Sequence, residues 1–133
     1  MICLDSSFII DYLKGDVSAK KALLRCGKTR MFVSEFAIFE VAEGLIFLMG
    51  KKSSKKEFDV FFDFIGSLEV LSLNNFFSLD AAKISAELNL KGVRVDSVDS
   101  LIAGSMLSNN IYKILTRNTK HFSRIKGLEV ISY

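Results

Sequence analysis

The chain has 133 residues, half of them apolar, with twelve phenylalanines and no proline. That composition excludes a disordered tail or a linker and predicts one globular domain, residues 1–133, with a substantial core. The charges nearly balance at a formal net +3, which permits a nucleic-acid partner without demanding one.

The first predicted element is a strand, Ile2 to Leu4, with Cys3 as a small core residue. A helix follows with Phe8, Ile9, Tyr12 and Leu13 at helical spacing, and Gly15 ends it. A second helix runs from about Val17 to Arg25 and stops at Gly27. Arg30 to Val33 reads as a strand, after which Ser34 caps a long helix through Met49. Gly50 to Lys56 is the one charge run and reads as an exposed loop. A helix from about Lys56 to Ile65 and a strand near Glu69 to Leu71 come next. Ser78 to Leu90 is helical up to Gly92, and Ser97 to Ser108 is helical again. Lys113 to Leu115 and Leu128 to Ile131 are the last strands.

Strands alternating with helices predict an α/β fold with a mostly parallel sheet. Ligands in such folds sit at the carboxyl ends of the strands, where the strand order reverses. Asp5 and Asn118 fall just past predicted strands. Cys3 and Cys26 give neither a zinc spacing nor a disulfide framework. The most apolar stretch, Phe36 to Gly50, contains Glu40 and Glu43 and is too short to span a bilayer. With Asp5 interrupting the amino terminus as a signal segment, the expectation is a soluble cytoplasmic protein without a membrane partner.

Several acids occupy positions that an apolar setting makes costly. Asp5 lies between a strand and a helix, and cap and ligand are equally good readings of it. Asp96-Ser97-Val98-Asp99 before Leu101-Ile102-Ala103 resembles a capping box, which favours a cap for Asp96. Asp99, in the first turn, can instead face a cation. Glu40 resists a bland account: its helix is apolar on nearly every side, predicting burial all round, and no basic residue of that helix is near it. It needs a tertiary partner, either Lys, Arg or a metal. The surplus apolar surface of that helix also predicts an isologous homodimer.

Oxygen ligands from Asp and Glu select hard cations. Such a site can polarise a phosphodiester and acidify a bound water, so the residues alone predict a magnesium-dependent nuclease. His121 reads as a surface residue or a supporting neighbour of the ligands rather than a general base; Lys120 and Arg124 beside it suggest the surface, and no catalytic role is assigned. Ser6, Ser7, Ser34 and Thr116 read as caps or as hydrogen-bond partners of the carboxylates. Arg117, Lys120, Arg124 and Lys126 could hold phosphates, although basic side chains near a carboxyl terminus are ordinary.

Four segments together resemble the PIN domain, and specifically the VapC-type toxins of type II toxin–antitoxin systems. They are Leu4-Asp5-Ser6-Ser7-Phe8-Ile9-Ile10-Asp11-Tyr12-Leu13, Ser34-Glu35-Phe36-Ala37-Ile38-Phe39-Glu40-Val41-Ala42-Glu43-Gly44-Leu45, Asp99-Ser100-Leu101-Ile102-Ala103-Gly104, and Leu115-Thr116-Arg117-Asn118-Thr119-Lys120-His121-Phe122 followed by Ile125-Lys126-Gly127-Leu128-Glu129-Val130. The resemblance implies a three-layer fold, a small mostly parallel sheet flanked by helices. It also implies Mg2+ or Mn2+, single-stranded RNA as substrate, and a cognate antitoxin as partner. Carried over residue by residue, Asp5 and Asp99 become metal ligands, and Glu40 joins them directly or through water. Asp96 matches a position that either binds a second metal or caps the helix. Ser6, Thr116 and Asn118 become supporting or substrate-facing groups. Many members carry a further acid where this chain has Asn118, so a tightly held second cation is not implied.

Two other readings compete. A PIN-like module could bind RNA or protein with weak or no cleavage, which the retained acids argue against. A receiver-type signalling domain needs a phosphoacceptor Asp after a central strand, and the strand at Val70-Leu71 runs into Ser72-Leu73-Asn74 instead. A P-loop and a Gly-rich dinucleotide turn are both absent.

Overall fold

The computed structural model describes residues 1–52, 55–74 and 76–133. The described strands are β1 (Ile2–Leu4), β2 (Met31–Val33), β3 (Glu69–Val70), β4 (Lys113–Leu115) and β5 (Glu129–Ile131). The helices are α1 (Ser6–Leu13), α2 (Val17–Cys26), α3 (Glu35–Lys52), α4 (Lys55–Gly66), α5 (Phe77–Leu90), α6 (Ser97–Ser108) and α7 (Thr119–Phe122). All strand pairs are parallel, in the order β3-β2-β1-β4-β5. Cys3 pairs in register with Phe32 on one side and Ile114 on the other.

This is the expected α/β sheet flanked by helices, and its sequence logic is plain. Every residue of the central strand β1 is buried, as in sheets covered on both faces, where strands read as unbroken apolar runs. The Cys3 thiol is fully buried there, and burial pushes its pKa upward. The edges carry charge instead. Glu69 of β3 pairs with Arg30, and Glu129 of β5 pairs with Lys113, a device that discourages further strand addition. Phe8 and Ile9 of α1, Phe61 of α4, Ile102 and Met106 of α6, and Phe122 of α7 fill the core.

Helices α5 and α6 approach unusually closely. A Cβ built on Gly104 would stand 2.7 Å from the backbone nitrogen of Ala81 and 2.7 Å from the carbonyl of Phe77. Glycine at 104 is therefore a packing requirement rather than a turn signal.

Two expectations need correction. Gly50 does not open a loop: α3 continues through Lys52 and α4 already begins at Lys55. Of the expected loop, Ser53 and Ser54 lie outside the described residues. Glycine inside a helix costs only about 1 kcal/mol relative to alanine, and lysine is a good helix former. Helix α3 is also not buried all round. Ala37 and Val41 face the core, whereas Phe39, Ile46 and Phe47 are exposed. The helix lies on the outside of the sheet, so only one of its apolar rows faces inward. The short helix α7 was not expected. Among the described residues no helix is long and apolar enough to cross a membrane.

Candidate active site

The chain builds the sheet from β1 outward through β2 to β3, then returns to the other side of β1 with β4 and β5. The order reverses between β1 and β4, and the carboxyl ends of those strands deliver Asp5 and Thr116. A crevice at such a reversal is where ligands bind in open α/β sheets.

Asp5 is the residue before α1, yet its side chain makes no cap bond. It is 2% exposed. Its Oδ2 accepts hydrogen bonds from Ser7 Oγ at 2.6 Å and from Thr116 Oγ1 at 2.7 Å. Both hydroxyls are themselves fixed by backbone donors, Ser7 Oγ by the Arg117 N–H and Thr116 Oγ1 by the Asn118 N–H. The carboxylate is thus gripped by one oxygen, and no hydrogen bond among the described residues reaches the other.

Ser34 follows β2 and caps α3 by accepting the Ala37 N–H at 3.1 Å. That cap aims the second turn of α3, with Glu40, toward the same strand ends. Glu40 is half-buried. Burial raises its carboxyl above the usual range; the Ser6 hydroxyl opposes this, and the carboxylates of Asp5, Asp99 and Asp96 reinforce it. Among the described residues no salt bridge joins Glu40 to a Lys or Arg, and Ser6 is the nearby hydroxyl that favours its charged form.

Asp96 and Asp99 divide the work at the start of α6. Asp96 is exposed and accepts the Val98 N–H at 2.8 Å, so it is the cap. Asp99 does not complete a capping box. It is buried, and its Oδ2 lies 2.7 Å from His121 Nδ1 and 3.4 Å from the Asn118 amide. Burial raises the Asp99 carboxyl, the His121 hydrogen bond lowers it, and Asp5 raises it further.

Glu40 and Asp99 both lie close enough to Asp5 and Asp96 for those charges to raise their carboxyls. The four acids do not close on one point. Among the described residues no three His, Cys, Asp or Glu side chains form a ready cation shell. A hollow of about 250 Å3 lies elsewhere, lined by Ile2, Ala22, Cys26 and Lys113, and does not touch the acids.

Of the two readings of His121, a surface residue or a supporting neighbour, the structure favours the second: it stands against Asp99, although it was not among the expected site residues. Its signal was the spacing Asn118-x-x-His121, first and fourth positions of a helical turn, which required recognising α7. Arg117 is engaged within the protein. Its Nη1 bonds both carboxylate oxygens of Asp11 at 2.8 Å, and Tyr133 donates to the same carboxylate at 2.8 Å. That clasp ties the segment after β4 and Tyr133 to α1, and of the two readings of Arg117, phosphate holder or ordinary basic side chain, it gives the residue a structural contact.

The PIN domain family model matches residues 2–128. The chain is similar to Ribonuclease VapC1 of Methanocaldococcus jannaschii, at 28% identity over 131 residues, covering 97% of this chain and 85% of that protein. It is similar in structure to DNA-bound VapBC from Salmonella typhimurium, with a TM-score of 0.82 and 27% identity over 98% of this chain and 96% of that one. VapBC2 from Rickettsia felis, bound to a DNA fragment from its promoter, gives a TM-score of 0.83 at 23% identity, over 100% of this chain and 99% of the other.

Proposed function

The chain belongs to the PIN domain family, and from that premise we propose that it is a cation-dependent endoribonuclease acting on single-stranded RNA, the toxin of a toxin–antitoxin pair. The observation that carries this reading is the gathering of Asp5, Glu40, Asp96 and Asp99, from three separate segments, at the strand-order reversal. Both the Glu40 and the Asp99 carboxyl are raised there, first by burial and then by the neighbouring charges of Asp5 and Asp96.

Asp5, Asp99 and Glu40 are the ligands of the cation, Mg2+ or Mn2+, with Asp96 alongside at the rim. When bound, the ion neutralises charge on the phosphodiester and makes water a better nucleophile. Ser7 and Thr116 hold Asp5 by one oxygen and present the other. Ser6 lies beside Glu40 and would support its ionised, cation-binding form. Asn118 stands beside Asp99 at the substrate side. No covalent nucleophile is required.

The similarity to Ribonuclease VapC1 supports RNA as the substrate. The similarity to VapBC assemblies supports a cognate antitoxin as partner. The exposed apolar row of α3, with Phe39 and Ile46, supports a homodimer. One domain spanning 1–133 carries all of these roles.

The test is cleavage of labelled single-stranded RNA by purified protein with Mg2+ or Mn2+. Cleavage is expected with either ion and is expected to stop in excess chelator. Undiminished cleavage in chelator would rule this reading out.

A further inference from the structure

We propose that His121 is itself a cation ligand, and that Asp99, Asn118 and His121 form a mixed oxygen and nitrogen donor set that prefers Mn2+ to Mg2+. The inference rests on the cation reading of Asp99 given above and goes beyond it.

Three side-chain atoms define the site. Asp99 Oδ2 and His121 Nδ1 are 2.7 Å apart, His121 Nδ1 and the Asn118 amide are 3.0 Å apart, and the amide and Asp99 Oδ2 are 3.4 Å apart. Adjacent ligands around an octahedral ion at ~2.1 Å stand about 3 Å apart. The three atoms already have the spacing of one octahedral face.

The protons on these atoms do not balance with the amide nitrogen turned inward. If Nδ1 carries a hydrogen for Asp99, the Asn118 NH2 meets an N–H. If Nδ1 is bare, it accepts from Asn118 but turns a lone pair on a carboxylate. A half-turn of the amide replaces nitrogen by oxygen. Three acceptor atoms then surround a space that one positive centre fills: the Nδ1 proton in the free protein, a cation when one is bound.

The mounting is suited to this. Asn118 and His121 share the single turn of α7, closed by the His121 N–H to Asn118 C=O bond. Asp99 is fixed in the first turn of α6. The imidazole is 39% exposed, so ions can reach it, while the Asp99 side chain is only 11% exposed. An imidazole nitrogen is a poor ligand for Mg2+ and a good one for first-row transition ions. The other candidate ligands are all oxygens, so His121 alone sets this preference.

His121 is the sole histidine of the chain, which makes the experiment direct. Untagged protein is titrated with MnCl2, and pulsed EPR records 14N coupling to the bound Mn2+; Mg2+ affinity is measured by competition. The expected result is the coupling of a coordinated imidazole, absent in His121→Gln. Mn2+ affinity should fall about 10- to 100-fold in that variant, with Mg2+ affinity changed far less. Circular dichroism checks that the variant is folded. Bound Mn2+ without imidazole coupling in the natural protein overturns the inference and leaves the carboxylate cation site standing. No Mn2+ binding at all overturns both.

Discussion

Thr116 donates from Oγ1 to Oδ2 of Asp5 at 2.7 Å, joining residues 111 positions apart at the ends of two neighbouring strands. Thr116 is fully buried and also accepts the Asn118 N–H. Thr116→Val keeps the shape and removes both bonds. A buried carboxylate that loses a donor, together with an orphaned N–H, should cost about 1–3 kcal/mol. Thr116→Ser should recover most of it. Urea denaturation of the three proteins measures this, and equal stability of Val and Thr would show that the bond is idle.

The raised carboxyls of Glu40 and Asp99 give a pH prediction. A carboxyl raised in the folded state binds its proton more tightly there than in the unfolded chain. Its contribution to stability is fully present below the ordinary carboxylate value and is lost as pH rises through the raised one. Cation-free protein should therefore lose stability as pH climbs from about 4 toward neutrality. On the proposed reading Mg2+ would bind the ionised site, so its addition should reverse that loss, by about 2.7 kcal/mol at one hundred times its Kd. Thermal melts in chelator and in Mg2+ across this range test it. Parallel curves with and without the ion would refute the linkage.

Neutral isosteres separate chemistry from folding. Glu40→Gln and Asp99→Asn remove charges that repel one another in the free protein. Each should melt no lower than the natural protein in chelator, yet cleave RNA at least ~100-fold more slowly. A variant that unfolds easily but keeps full activity per folded molecule would point to a structural role for that carboxylate.

The acids could be found from sequence because their cost could be argued locally. Asp5 after Ile2-Cys3-Leu4, and Glu40 within Phe36 to Val41, are charges in apolar runs. Alternating elements also predicted the parallel sheet, whereas the strand order that unites these acids came only from the fold. What could not be read were contacts whose logic is tertiary. Ser7 read as a cap or a partner of a carboxylate, and the fold decides for Asp5 and adds the Arg117 backbone N–H, which no local pattern announces. Asp11 gave no signal, being one acid on an amphipathic helix, until Arg117 and Tyr133 arrive from the far end of the chain. The same gap explains α3, where apolar composition alone cannot say which row faces the sheet.

Gly104 offers a test of the scaffold that leaves every candidate ligand untouched. It lies in α6, where a methyl group would meet the backbone nitrogen of Ala81 at 2.7 Å and its Cβ at 2.8 Å. Alanine is normally the better helix residue by about 1 kcal/mol, so an open position would gain from Gly104→Ala. Here the methyl must push α5 and α6 apart, and backbone cannot yield as a flexible side chain does. Overpacking of this kind costs about 1–3 kcal/mol, outweighing the gain in propensity. Because α6 also carries Asp99, the displacement should weaken Mn2+ binding along with stability. Gly44 in α3 is the control: a methyl there meets nothing within 4 Å, so Gly44→Ala should be neutral or stabilising. Chemical denaturation of the pair reads the difference, and Gly104→Ala as stable as Gly44→Ala would mean that the two helices do not pack at this distance.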